Sequence, residues 1–451
     1  MEKRYSVQLK IVGLLCLFSL ISFEVRAQWK LLKELPATYA VFITKSGNML
    51  MSDFLMDIDP KTGAILRPGK GGIYLSKDKG ESWKKVDAPD YSYNKFYEFG
   101  DYVFAGGSAG RIARSSDSGE TWELLNYTLP LAGIVDNTAI EQTSCYAMEY
   151  HNGKLFIGDF NGGGVLYSED MGETWSLTER SSLKVETPSG VVVENIYSLA
   201  AFNGKLYAFG VYYIFEYVDE YNLWMIKRSD SNFMCQTMVF KDKLYGGRSV
   251  MNQGEQSAFL ERTSDGETWE WVPRPKGQRD NNVRVINHDE NNIYVGLQTK
   301  GIYYTDNEGE TWAEISEGLP PYAEDFTEEY ISPLQIAVDD EFIYVAMYED
   351  AFYSDRKVSG VYRFAKKNLP PTPSAIRNLS ADADFQVFAN DSYLQIKGNM
   401  EFTISVFDMY GKHVDVNVQD GNMDIRNLAS GVYVYELITK DGKAVGKFLK
   451  K

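Results

Sequence analysis

The chain has 451 residues, with 63 acidic side chains against 46 basic ones and a net charge of −17. A surface of that sign repels phosphate backbones and anionic lipid, which excludes nucleic acid as an expected partner. Aromatic residues make up 14 % of the chain, 31 of them tyrosine, a composition that favours strands and aromatic packing between sheets.

Residues 1–27 read as a cleaved signal peptide. Lys3, Arg4 and Lys10 precede an apolar run from Ile11 to Phe23, and Val25-Arg26-Ala27 supplies the small residues that a signal peptidase reads. The run is too short for a membrane span, and no later stretch approaches that length. The mature chain is therefore expected to carry no transmembrane segment.

From residue 28 to 367 one unit recurs. It holds four short alternating strands, the first two joined by a tight turn such as Asn152-Gly153. The second strand repeats as Lys205-Leu-Tyr-Ala-Phe, Lys243-Leu-Tyr-Gly-Gly, Asn292-Ile-Tyr-Val-Gly and Phe342-Ile-Tyr-Val-Ala. With Met49–Ser52, Tyr102–Ala105 and Lys154–Gly158 the count is seven. The seventh unit lacks a fourth strand, and Gln28-Trp29-Lys-Leu-Leu32 at the mature N-terminus has the pattern to provide it. Pairing of the two ends would remove an exposed sheet edge.

Between the third and fourth strands lies a turn with fixed residue types. It occurs around Asp78, Gly80 and Trp83, around Asp117, Gly119 and Trp122, and around Asp170, Gly172 and Trp175. A version one residue shorter holds Asp265 and Trp269, and another has Asn307 before Gly309 and Trp312. Asp accepts backbone hydrogen bonds within its own turn, Gly supplies positive φ, and Trp buries a large area between sheets. These residues are structural in this reading. The motif resembles the Asp box, or BNR repeat, of sialidase-like and sortilin-like propellers. The resemblance implies an all-β seven-bladed β-propeller, here closed by its N-terminal strand.

Leu369-Pro-Pro-Thr-Pro373 marks a linker over 368–380. Residues 381–451 then give a succession of alternating segments, including Tyr393–Lys397, Thr403–Phe407 and Gly431–Ile438, as half-buried sandwich strands do. This tail resembles the C-terminal sorting domain of type IX secretion. The resemblance implies a small β-sandwich, recognition by the type IX machinery, and a secreted or outer-membrane-surface location in a Gram-negative bacterium after periplasmic transit.

In propellers of this layout the loops before each first strand and after each second strand share one face. His151 and His288 fall on the opposite face and His413 in the tail, which leaves no histidine for a catalytic triad or metal site on the loop-rich face. Cys145 and Cys235 occupy equivalent positions two units apart, too far for a good disulfide. No metal or cofactor is expected. The ligand-contact candidates on the loop-rich face are Asp53, Asp57, Tyr91, Asp159, Phe160, Tyr212, Arg248, Tyr348, Asp350 and Tyr353. Aromatic rings beside carboxylates suit a sugar, and also a peptide. The expected function is a non-enzymatic secreted or cell-surface propeller that binds a glycan, peptide or protein partner through this face. The alternative is a glycoside hydrolase with a carboxylate pair on the same face. Sialidase activity is disfavoured, because Leu35-Pro-Ala-Thr-Tyr-Ala-Val-Phe42 lacks the arginine that such enzymes carry there.

Overall fold

The computed structural model describes residues 29–35, 38–53, 56–58, 65–68, 71–107, 110–128, 144–160, 164–187, 190–229, 234–248, 259–275, 278, 282–321, 329–349, 358–370, 372, 385–389, 393–398, 402–408, 411–419, 422–439 and 442–450. The expected leader 1–27 and the candidates Asp350 and Tyr353 lie outside the described residues. The chain divides into two compact units, Met1–Thr372 and Pro373–Lys451.

The described residues of the first unit contain seven four-stranded sheets. Their first strands are Thr38–Ile43, Tyr93–Phe99, Ser144–His151, Ile196–Phe202, Met234–Phe240, Val283–His288 and Ser332–Val338. Each first strand lies against the first strand of the next sheet, and the seventh lies against the first. Six sheets take all four strands in chain order. The seventh takes its outer strand, Lys30–Glu34, from the N-terminus, where it runs antiparallel to Gly360–Ala365 with Leu31 opposite Tyr362.

Burial follows the same cycle. Val41 and Met51 of the first sheet pack with Tyr344 and Val361 of the seventh, and Ala40 and Ile73 pack with Phe96 and Val103 of the second. Every junction between consecutive sheets holds one tryptophan. Trp83, Trp122, Trp175, Trp224, Trp269 and Trp312 take six of them in chain order. Trp29 takes the last, between the sixth and seventh sheets, where it packs at 5.3 Å from the ring of Phe364 and donates its indole N–H to the Ile315 carbonyl. An indole is the largest apolar body available, so one per junction anchors each stacked pair.

The turns before the third-to-fourth strand crossing explain where these tryptophans come from. Asp117 accepts from Ser115 Oγ at 2.7 Å, from the Thr121 N–H at 2.9 Å and from Thr121 Oγ1 at 2.6 Å. Ser115 Oγ in turn accepts the Gly119 N–H at 2.8 Å. The serine is thus as much a part of the closure as the aspartate. Ser118 and Gly119 are both left-handed, at φ 59° and 93°. The positive φ favours glycine at 119, and a Cβ there would come within 2.5 Å of the Leu50 side chain in the neighbouring sheet, which would have to shift. The shorter Asp265 turn omits the first left-handed residue and makes the bend at Gly266 alone. The fourth sheet has no such turn, and a 3-10 turn over Asp219–Tyr221 ending on left-handed Asn222 replaces it.

The described residues of the second unit hold two four-stranded sheets. One consists of Phe385–Ala389, Tyr393–Gly398, Asn422–Asp424 and Asn417–Gln419, and the other of His413–Val414, Phe402–Phe407, Gly431–Thr439 and Gly442–Lys450. Val406 and Leu437 from the second sheet share a buried core with Met423 of the first.

Candidate functional site

The second strands end, and the first strands begin, at one end of the ring of sheets. Several expected contact residues stand there, yet three of them are buried. Asp53 ends its strand with 4 % of its surface exposed, Asp159 is fully buried, and Arg248 is 1 % exposed. The reason is that each second strand runs further than its sequence pattern suggests and draws its last polar residue into the sheet. Asp53 accepts weakly from Tyr74 Oη at 3.4 Å, and Asp159 accepts from Tyr127 Oη at 3.1 Å. Burial pushes the Asp53 carboxyl up, while the Gly72 N–H, Lys85 and Tyr74 pull it down. Arg248 donates to Glu261 Oε2 at 2.8 Å and lies 5.0 Å from the Trp271 ring.

The remaining candidates are more open. Tyr212 is exposed, Tyr91 packs at the edge of the junction between the first and second sheets, and Tyr348 stacks edge-on against Tyr39 at 5.5 Å. Asp57 sits in the short strand Met56–Ile58 opposite Arg67, and Phe160 ends the strand Lys154–Phe160 opposite Ser144; the side chains of both are outside the described residues.

Sequence reasoning missed the feature that organises this end. All seven first strands carry a register break at the same place, between Thr38 and Ala40, Tyr93 and Lys95, Cys145 and Ala147, Ile196 and Ser198, Met234 and Gln236, Val283 and Val285, and Pro333 and Gln335. A β-bulge of this kind re-aims one side chain per strand. In three sheets the extra residue is a tyrosine: Tyr39, Tyr146 and Tyr197. The rings of Tyr146 and Tyr197 stand 6.0 Å apart. Burial raises the Tyr146 hydroxyl far above its ordinary range, and Tyr39 and Tyr197 push it further in the same direction. Tyr39 and Tyr146 belong to sheets that are not neighbours, and the electrostatic influence of one on the other places both on the inner side of the ring of sheets. The available signal was a tyrosine near the start of the same strand in three units.

At the other end, side chains of one first strand cap the open backbone edge of another. Glu149 accepts the Ala201 N–H at 3.3 Å, Glu98 accepts the Lys45 N–H at 2.7 Å, and Asn287 donates to the Ile336 carbonyl at 2.6 Å, while nearer the tyrosines Tyr97 Oη donates to the Tyr146 carbonyl at 2.8 Å. Inner edge strands leave backbone groups unused by the ladder, and these contacts satisfy them. Between the two ends runs an axial channel with cavities of about 470 and 280 Å3 that share Phe42, Ile43, Lys95, Phe96 and Thr237. Among the described residues no group of three or more His, Cys, Asp or Glu is arranged to hold a metal ion. Cys145 is a buried free thiol, held protonated by burial.

Residues 389–451 match the family described as the secretion system C-terminal sorting domain. The tail is a sorting domain. It marks the chain for export by type IX secretion, to the medium or the cell surface, and for recognition by that machinery. Among the described residues no helix is long and apolar enough to cross a membrane. No curated protein matches the chain. Similar solved structures include YCF48 from Cyanidioschyzon merolae, 15 % identical, covering 75 % of this chain and 98 % of its own, with a TM-score of 0.49. A structure of YCF48 bound to a D1 peptide is 12 % identical over 76 % of this chain and 96 % of its own, also at 0.49. The computationally designed protein Ika8 is 9 % identical over 74 % and 98 %, at 0.42.

Proposed function

We propose that this chain is an exported glycan-binding propeller. In this reading the seven sheets over 28–367 are the blades of one ring, their third-to-fourth strand turns are Asp boxes, and the N-terminal strand closes the circle. Residues 368–380 then connect the ring to a β-sandwich sorting domain over 381–451. The ligand lies on the loop-rich end, over Tyr39, Tyr146, Tyr197 and Tyr348.

One observation carries this reading: bulges at equivalent positions bring tyrosines from separate sheets together at the axis. Aromatic faces accept the C–H side of a sugar ring, and phenol hydroxyls offer it donors and acceptors. The buried state of Asp53 and Asp159, each with a tyrosine hydroxyl on one oxygen, favours binding over hydrolysis. A glycan array probed with the mature protein should give hits that the variants Tyr197→Ala and Tyr348→Ala lose by about tenfold or more, roughly 1.4 kcal/mol. Hits that persist unchanged in both variants, or no hits, would refute the assignment.

A further inference from the structure

The register breaks give the innermost strand of every sheet one extra residue, and tyrosine fills three of these seven positions. In the other four sheets the residue is Asn94, Cys235, Arg284 or Leu334, so Arg284 is the one bulge residue that carries a charge. Arg284 is exposed between the buried Val283 and Val285, and no ion pair or hydrogen bond among the described residues engages its guanidinium. Acids at this end are bonded elsewhere: Asp53 to Tyr74, Asp159 to Tyr127, and Glu194, 2 % exposed, to the Val211 N–H at 2.7 Å. Asn94 holds the bulge position of the second sheet, between the sheets of Tyr39 and Tyr146. It is 6 % exposed, and neither its amide oxygen nor its amide nitrogen has a hydrogen-bond partner among the described residues. A buried polar group in that state costs about 1–3 kcal/mol, which a ligand hydroxyl offered to it would offset.

A guanidinium presents its donors in a planar fork that fits a carboxylate or a sulfate ester with two parallel bonds. The net charge of −17 disfavours non-specific capture of anions, so a cation on the inner side of the ring attracts one at that place alone. We propose that the glycan held over the tyrosines is acidic, with its carboxylate or sulfate on Arg284 and a hydroxyl on the Asn94 amide. The inference rests on the glycan reading of this face and adds the class of sugar, a uronic acid or a sulfated sugar in place of a neutral one.

The test is an array of oligogalacturonates, oligoalginates, sulfated galactan fragments and neutral β-glucans, probed with the protein beginning at residue 28. Acidic members should bind, and the neutral glucans should bind about tenfold more weakly or worse. Methyl esterification of a bound uronide, or desulfation of a bound galactan, tells the two anionic groups apart and should cost a similar factor. Arg284→Met should lose the acidic hits to the same extent with an unchanged melting temperature, and Arg284→Lys should keep part of the affinity. Hits confined to neutral glycans, or acidic hits that survive in a folded Arg284→Met protein, would overturn the proposal and leave the glycan reading standing. The absence of any hit would remove both. If Arg284→Met does not fold, the esterified and desulfated sugars decide the question alone.

Discussion

Asp78, Asp117, Asp170 and Asp265 each accept a hydroxyl and one or more backbone N–H groups in their turns. Ser82, through its hydroxyl and its N–H, leads the contacts that lower the Asp78 carboxyl to about 2. The Thr268 and Glu267 N–H groups do the same for Asp265, also to about 2. An acid lowered in the folded state releases its proton more readily there than in the unfolded chain. Its contribution is present above the usual carboxylate range near pH 4 and disappears as pH falls through about 2. Urea unfolding should therefore show a midpoint that declines steadily between about pH 4 and pH 2. A midpoint that is flat over that window would contradict the role of these turns. Burial acts in the opposite sense at Asp53, Glu149 and Glu194, whose contributions diminish as pH rises through their raised values. Asn307 shows what a neutral replacement does: it accepts from Thr305 Oγ1 and the Thr311 N–H and donates to Thr311 Oγ1. Asp117→Asn should accordingly unfold within about 0.5 kcal/mol of the parent in urea, and Asp117→Ala about 1 kcal/mol or more earlier. Equal losses in the two variants would contradict the hydrogen-bond account.

The strands show how far a sequence carries such a reading, and where it stops. The outer strand at Lys30–Glu34 was legible because Trp29-Lys-Leu-Leu copies the spacing of Trp122-Glu-Leu-Leu, and the spacing reflects one packing requirement, an indole between two sheets. The aspartate and glycine of each turn were legible for the same kind of reason, since few residues do what those positions need. The serine that accepts the Gly119 N–H was not assigned a role, because a serine in a turn has many local uses. The bulges were hidden. A single extra residue shifts the inward and outward alternation by one, and a run such as Cys145-Tyr-Ala-Met reads equally well with or without it. The alternating pattern therefore keeps the tyrosines of the axis inside strands, whereas it puts Asp53, Asp159 and Arg248 in the loops beyond the second strands. Strand ends are set by pairing across the sheet, which local pattern does not record.

In the whole molecule, seven junctions each hold one tryptophan, and six of these tryptophans come from sheets whose four strands follow one another in the chain. The seventh differs. There Trp29 and the strand Lys30–Glu34 come from the far end of the sequence, and they complete both the outer edge of the last sheet and its contact with the sixth. Replacing a buried tryptophan typically costs about 3–5 kcal/mol, and loss of the whole strand adds an exposed edge at Gly360–Ala365. The melting temperature of the protein beginning at residue 36, compared with one beginning at residue 28, tests this closure most directly. A fall of roughly 10 °C or more is expected. An unchanged melting temperature would show that the N-terminal strand does not close the ring.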